Sequence, residues 1–307
     1  MSIIGPEDYL EPQCVLCGDP YGAVPECRPV PQKRIMEKMD EYMSRRDYAG
    51  AERHLLYWLN EAELGRDGRG ELMILGELVG HYRKIGEKEK AFSAAGRALD
   101  LIGALDFEGT VSAGTAYVNI ATAFSSFGEH ERALAVFEKA RAAYESAGAG
   151  AAGSGEGGSE ATGPDAPAQP GESRRTAVSP ELYGGLCNNM ALTLTALGRW
   201  TEARELYGRA LKVMEQVPGG ALEQAVTCLN MADTAAAEYG PEEGESEIFD
   251  LLDRAEELLR NADAPEDGYF AYVLDKCAPV FSHYGYFAAA REFREKAERL
   301  YAAAADQ

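Results

Sequence analysis

The stretch Leu186–Met214, LCNNMALTLTALGRWTEARELYGRALKVM, decides the fold. Its apolar residues recur at helical spacing on both sides of Gly198, which predicts two amphipathic helices joined by one tight turn. Three alanines stand where a helical hairpin needs small side chains so that two backbones can approach each other: Ala191, Ala203 and Ala210. The stretch therefore predicts a hairpin of two closely packed helices.

The same pattern recurs along the chain when the turn residue is used as a marker. The markers are Arg46, Gly86, Gly128, Gly198, Gly240 and Gly285. All but one pair of neighbouring markers are separated by about 42 residues, and alanine fills most of the corresponding small positions around them. The chain is therefore built from repeats of one helical hairpin.

This pattern resembles the tetratricopeptide repeat, in which a small residue of the first helix faces alanines and an aromatic residue of the second. A period of about 42 residues, with Asn ahead of an apolar residue and Ala, is similar to the kinesin light chain variety. The resemblance covers about residues 32 to 304. It implies an all-α fold, a right-handed solenoid of about six helical hairpins, and a protein-binding scaffold with a concave groove lined by the first helix of each pair.

Composition divides the chain into four segments. Residues 1–31 form a proline-rich leader, since proline is poorly tolerated inside helices. Residues 32–147 hold repeats one to three, and residues 179–307 hold repeats four to six, which we expect to continue the same solenoid. Between them, residues 148–178 are rich in Gly, Ala, Ser and Pro. This insert has too few large apolar residues to offset its ordering entropy, so we expect it to be disordered.

The chain is strongly acidic, with 51 Asp and Glu against 30 Lys and Arg and a formal net charge of −21. Nucleic acids and anionic membrane surfaces attract clustered Lys and Arg, so the charge argues against both as partners. It favours basic protein partners instead. No secretion signal or long apolar run is present, and we expect a cytoplasmic protein.

The leader carries the one spacing that suggests a metal, Cys14 and Cys17 followed by Cys27. Two thiolates two residues apart can chelate zinc, but a second pair is missing. Three interpretations stay open: a small zinc knuckle, a redox-active or free cysteine pair, and a leader that packs its cysteines on the first repeat. No other cofactor is expected. Three further cysteines occupy apolar repeat positions, where we expect them to pack as small apolar residues: Cys187, Cys228 and Cys277.

Polar residues recur near the small position of each first helix, where the resemblance places the groove. The candidates for peptide contact are Glu77, Asn119, Asn188, Asn189, Asn230 and Lys276. Asparagine amides can donate hydrogen bonds to, and accept them from, the backbone of an extended peptide. The resemblance to kinesin light chain grooves, which carry Asn at matching places, implies this role. Alternatively, each amide bridges one hairpin to the next.

Two cations end the first helix of the second pair, Arg83 and Lys84. They are further candidates for the groove. Equally, they can face solvent at a helix C-terminus, where the helix dipole favours positive charge.

Nothing in the sequence indicates catalysis. The four histidines are scattered through different repeats, and the chain has no Gly-rich phosphate loop, HExxH or GxSxG motif. The expected function is a non-enzymatic adaptor that binds a protein or peptide in the groove. The alternatives are a structural subunit that docks through its convex face or termini, and a metal- or redox-responsive regulator that uses Cys14, Cys17 and Cys27.

Overall fold

The computed structural model of the chain describes residues 27–152 and 178–305, in which all regular structure is α-helical. Adjacent helices pair along the chain, so the predicted all-α architecture of helical hairpins is confirmed. The helices are α1 Gln32–Ser44, α2 Tyr48–Gly65, α3 Gly68–Ile85, α4 Lys88–Ala104, α5 Val111–Ser126, α6 His130–Ala152, α7 Pro180–Ala196, α8 Trp200–Met214, α9 Ala221–Tyr239, α10 Glu245–Arg260, α11 Gly268–His283 and α12 Phe287–Ala305.

The turn inside each hairpin falls at the residue that the sequence marked. All six markers have a positive φ: 55° at Arg46, 79° at Gly86, 83° at Gly128, 70° at Gly198, 84° at Gly240 and 86° at Gly285. Glycine adopts a positive φ without the steric cost that a Cβ imposes, which explains its recurrence after the first helix. Arg46 adopts the same conformation despite its side chain.

The small positions around these turns lie in the core. Ala191 and Ala203 have no exposed surface, and the same holds for Ala121 and Ala133 in the third hairpin. Small side chains at these places let the helix backbones approach, and dense interiors leave no room for larger ones. The predicted role of the alanines as contact positions is confirmed by their burial.

Trp58 is an exception to the predicted core. The spacing of Ala51, Leu55, Trp58 and Leu59 predicts one apolar stripe on α2 that faces the core, yet Trp58 is only half-buried and packs edge-on against Tyr57. The buried stripe runs instead through Leu55, Leu59 and Ala62. One residue corresponds to about 100° of rotation about a helix axis, so Trp58 lies beside this stripe rather than on it.

The helices form two compact units, and the division falls in the third hairpin. One unit contains the residues up to Glu108 together with Thr115–Val136, and the other contains Gly109–Gly114 and the residues from Phe137 onward. Hairpins four to six therefore lie within a single unit.

The boundary of the predicted insert differs from the sequence prediction at its start. Helix α6 continues to Ala152, so residues 148–152 are helical, consistent with the high helix propensity of the alanines in this run. The rest of the insert up to residue 177 lies outside the described residues, as does the leader up to residue 26. The predicted disorder of the insert therefore stays a prediction.

In the two described ranges, no helix combines the length and the apolar character that crossing a membrane requires.

Candidate peptide-binding groove

The first helices of the last three hairpins, α7, α9 and α11, line a depression of about 330 Å³. It brings together three residues that the sequence predicted as peptide contacts, Asn188, Asn189 and Lys276. Among the described residues, the lining consists of Glu181, Leu182, Gly184, Gly185, Asn188, Asn189, Met214, Glu223, Val226, Thr227, Tyr269, Tyr272, Val273 and Lys276. We call this depression the α7–α9–α11 pocket.

Two of the predicted asparagines are bonded to each other across neighbouring hairpins. Nδ2 of Asn230 on α9 donates a hydrogen bond to Oδ1 of Asn188 on α7 at 3.1 Å. Both side chains are half-buried. This contact is the bridging arrangement that the sequence left open as one of two roles for the amides.

Asn189 has a different environment from its neighbour. It lines the pocket, and none of the side-chain hydrogen bonds in the described part of the chain involves its amide. The backbone carbonyl oxygen of Asn189, rather than its side chain, accepts a hydrogen bond from the hydroxyl of Thr193 at 3.2 Å, within α7. The amide of Asn189 therefore keeps its donors and its acceptor for a ligand.

Two tyrosines at the start of α11 form an aromatic wall of the pocket. Tyr269 and Tyr272 are about half exposed, and their ring centroids are 6.4 Å apart. The hydroxyl of Tyr269 donates to Oε1 of Glu223 on α9 at 2.7 Å. Burial and this carboxylate together raise the pKa of Tyr269, so the phenol stays protonated and fixes the position of Glu223.

The charges of the lining are two carboxylates and one ammonium group. Glu181 stands in the first turn of α7, where its own backbone N–H and Ser179 lower its pKa. Glu223 is half-buried beside Tyr269, whereas Lys276 is exposed. The pocket therefore has a net negative lining, in keeping with the charge of the whole chain.

Two glycines of α7, Gly184 and Gly185, are part of the pocket lining. A Cβ on Gly184 would lie 2.2 Å from the terminal methyl of Met214 on α8, which would have to move. A Cβ on Gly185 would meet nothing within 4 Å, which leaves open space in front of α7. Glycine inside a helix is less favourable than alanine by about 1 kcal/mol.

The sequence did not predict the two glycines, the two tyrosines, Glu181 or Glu223 as parts of the site. A signal for the tyrosines is present, because two tyrosines three residues apart at a helix start share one face. Glu223 carried no such signal, since its partner Tyr269 is 46 residues away.

Four other predicted site residues belong to the first of the two units. Glu77 is largely shielded from solvent, and burial together with the nearby Asp40 carboxylate raises its pKa. Asn119 lies against Gly76, where an added Cβ would come 3.6 Å from its Nδ2. Arg83 and Lys84 are exposed in the last turn of α3. Nζ of Lys84 lies 5.9 Å from the ring centroid of Tyr48, so part of its charge faces α2.

The predicted cysteine site is only partly described. Cys14 and Cys17 lie outside the described residues, and within those residues no group of His, Cys, Asp and Glu could hold a metal ion. The Sγ of Cys27 donates to the carbonyl of Arg66 at 3.7 Å, and the N–H of Arg28 donates to the carbonyl of Gly65 at 2.9 Å. Zinc binding by Cys14, Cys17 and Cys27 stays a prediction.

Comparison with known proteins places a family match on the stretch that decided the fold. Residues 185–219, which include most of α7, the turn at Gly198 and all of α8, match the family model of the tetratricopeptide repeat. This stretch is similar to a tetratricopeptide repeat. The family resemblance inferred from the sequence is thereby confirmed. Tetratricopeptide repeats typically bind proteins or peptides and generally act as non-catalytic scaffolds.

Solved structures of similar proteins include BtubC (BKLC) from P. vanneervenii, at 15% identity and a TM-score of 0.47, covering 91% of this chain and 94% of that one. A Podosopora anserina protein of nearly identical TPR-like repeats, described as a kinesin light chain, has 14% identity and a TM-score of 0.45. It covers 76% of this chain and 96% of its own. A point variant of that protein has 14% identity and a TM-score of 0.47, and the match covers 78% of this chain and 99% of the variant. No curated protein matches the chain.

Proposed function

We propose that the chain is a non-enzymatic adaptor that binds an extended peptide segment of a partner protein in the α7–α9–α11 pocket. The observation that carries this proposal is the convergence of an unoccupied amide, an aromatic wall and charged groups on three successive first helices. Asn189 supplies the amide, Tyr269 and Tyr272 the wall, and Val226 with Leu182 an apolar surface.

The chemistry of this lining suits a peptide. Each residue of an extended peptide offers a carbonyl oxygen and an N–H, and the Asn189 amide can bond to both kinds of group. Apolar and aromatic side chains provide contact area without directional demands, so they accept different peptide side chains. The negative lining and the charge of −21 favour a basic partner over nucleic acid or an anionic membrane.

We further propose a cytoplasmic location. Three thiols are buried among apolar residues and remain free, at Cys187, Cys228 and Cys277. Packing of this kind suits a reducing compartment, where disulfides seldom persist.

The experiment that tests the groove is a selection of random twelve-residue peptides displayed on phage, followed by affinity measurement of the enriched sequences. The site variant is Asn189→Ala with Tyr272→Ala. Its matched control is Asn60→Ala with Tyr57→Ala, which removes the same two side-chain types from exposed positions of α2. We expect enriched peptides to bind wild type and control alike, and to bind the site variant at least about tenfold more weakly. Equal binding to all three proteins would show that the peptides do not bind in the α7–α9–α11 pocket.

A second candidate function is assembly through second helices. Phe249 on α10 is 39% exposed, and Phe287 at the start of α12 is 69% exposed. Tyr286 stands next to both, with its ring centroid 6.0 Å from that of Phe249. If this aromatic cluster docks a partner subunit, Phe249→Ser with Phe287→Ser will abolish assembly while peptide binding persists.

A further inference from the structure

The two tyrosines of the aromatic wall are both open to solvent. The planes of Tyr269 and Tyr272 are inclined by only 27°, and their exposed fractions are 52% and 49%. The face of an aromatic ring carries the negative part of its quadrupole and attracts cations within about 6 Å of the centroid.

Some buried rings of the described residues already have a cation of the same chain over them. Nζ of Lys90 lies 5.3 Å from the ring centroid of Tyr82, and Nζ of Lys296 lies 4.4 Å from that of Phe270. Phe270 lies between the two pocket tyrosines in sequence. Over Tyr269 and Tyr272 themselves, the described residues place no Lys or Arg.

The carboxylates of the pocket likewise have no cation of the described residues paired with them. Neither Glu181 nor Glu223 forms an ion pair with another described residue. The Tyr269 hydroxyl occupies one acceptor site on Glu223, and an ionised carboxylate has about four. Lys276 is the sole basic residue of the described lining, and it too is without an ion-pair partner there.

We propose that this pocket takes an arginine or lysine side chain of the bound peptide, held between the Tyr269 and Tyr272 rings and the carboxylates of Glu181 and Glu223. The inference rests on the proposed peptide-binding function and adds the identity of the anchoring residue. The aliphatic stem of the ligand residue lies along Val226, and its charged end reaches the carboxylates. Lys276 disfavours a second cation at the exposed side of the pocket.

The test uses four fluorescein-labelled pools of nine-residue peptides, measured by fluorescence anisotropy. The central residue is fixed as Arg, Lys, norleucine or Glu, and the flanking positions are randomised over Ala, Ser, Leu and Tyr. Norleucine matches the stem of lysine without its charge. We expect the Arg and Lys pools to bind wild type about tenfold more tightly than the norleucine pool, and the Glu pool to bind most weakly.

The site variant is Glu181→Gln with Glu223→Gln, and the control is Glu205→Gln with Glu298→Gln. Both double variants raise the net charge by two, and the control carboxylates are exposed on α8 and α12. We expect the site variant to lose the preference for Arg and Lys while it still binds the norleucine pool. The control should keep the preference. Thermal melts of both variants verify that each is folded.

The outcomes separate the two proposals. If no pool binds wild type, both the peptide-binding function and the anchor are wrong. If the pools bind without preference for Arg and Lys, or with preference for Glu, peptide binding stands and the cationic anchor is wrong. An equal loss of preference in the control variant would assign the effect to overall charge and would also overturn the anchor.

Discussion

Nδ2 of Asn230 donates a hydrogen bond to Oδ1 of Asn188 at 3.1 Å, and the two residues are 42 positions apart. The bond therefore joins equivalent regions of consecutive hairpins, α7 and α9. Asn189, the next residue along α7, lines the pocket instead. Two adjacent asparagines are thus divided between a structural bridge and a surface open to a ligand.

This division predicts different stabilities for the asparagine variants. Asn188→Ala and Asn230→Ala should each lower the free energy of unfolding by about 1 kcal/mol, because each leaves a half-buried amide without its partner. Asn189→Ala should change it by less than about 0.5 kcal/mol. Urea denaturation of the three single variants measures these differences.

The Asn188→Ala and Asn230→Ala double variant is the control for this prediction. Because both changes remove the same bond, the double variant should cost less than the sum of the single variants, by about 0.5–1.5 kcal/mol. Strict additivity would show that the bond contributes nothing to stability in solution.

The alanines at the helix contacts predict sensitivity to larger side chains. Ala203→Leu or Ala133→Leu should lower the free energy of unfolding by about 1–3 kcal/mol, since both alanines have no exposed surface. Thermal or urea denaturation measures the change. Ala288→Leu, at an exposed position of α12, provides the matched control and should be nearly neutral. An unchanged melting temperature for Ala203→Leu would contradict close helix contact at that residue.

The turn conformations predict opposite effects of adding and removing a Cβ. Gly128→Ala should destabilise the protein by about 1 kcal/mol, because φ is 83° and the added Cβ meets nothing within 4 Å that could compensate. Arg46→Gly should relieve the same strain at φ 55° and stabilise by a similar or smaller amount, since glycine also gains entropy in the unfolded chain. Urea midpoints measure both, and a destabilised Arg46→Gly would mean that its side-chain contacts outweigh the strain.

His81 predicts a pH dependence of stability. It is 3% exposed, and neither ring nitrogen has a hydrogen-bond partner in the described structure. Burial lowers the pKa of His81 below its ordinary value of 6.5, Glu52 partly opposes this shift, and Lys90 and Lys84 reinforce it. The unfolded imidazole therefore binds a proton more readily than the folded one. Its contribution to stability is present above pH 6.5 and is lost as pH falls towards the folded pKa.

The measurement is the urea midpoint at pH 7.5 and at pH 5.5. His81→Phe should shrink the difference between the two pH values, while His283→Gln at an exposed position should not. Some pH dependence should remain in His81→Phe, because burial also lowers the pKa of His54. Identical differences in wild type and His81→Phe would contradict a buried neutral imidazole.

The buried cysteines predict slow alkylation in the folded protein. Burial raises the pKa of Cys187 to about 11 and that of Cys277 to about 12, and it also raises the pKa of Cys228. The thiolate is the reactive form, so iodoacetamide at pH 8 should leave all three unmodified until urea unfolds the chain. Mass mapping of the labelled peptides measures this. A cysteine introduced by Ser246→Cys on the exposed side of α10 should react at once.

The local sequence pattern was sufficient to predict the helical hairpins. The recurrence of alanine at small positions and of glycine at turns is a property of neighbouring residues, so the sequence located all six turns, including Arg46. Residue spacing along a helix also fixed which side of most helices is buried. Trp58 differs because neighbouring residues of a helix point about 100° apart, so Trp58 and Leu59 cannot both lie at the centre of the buried side.

The sequence by itself determined a chain of helical hairpins with small residues at their contacts. The tertiary structure decided which asparagine bridges and which one faces the pocket, and it brought Tyr269 to Glu223 across 46 residues. The physical reason is that such contacts depend on how one hairpin stacks on the next. Stacking sets the rotation and translation between helices, and no short stretch of sequence encodes either quantity.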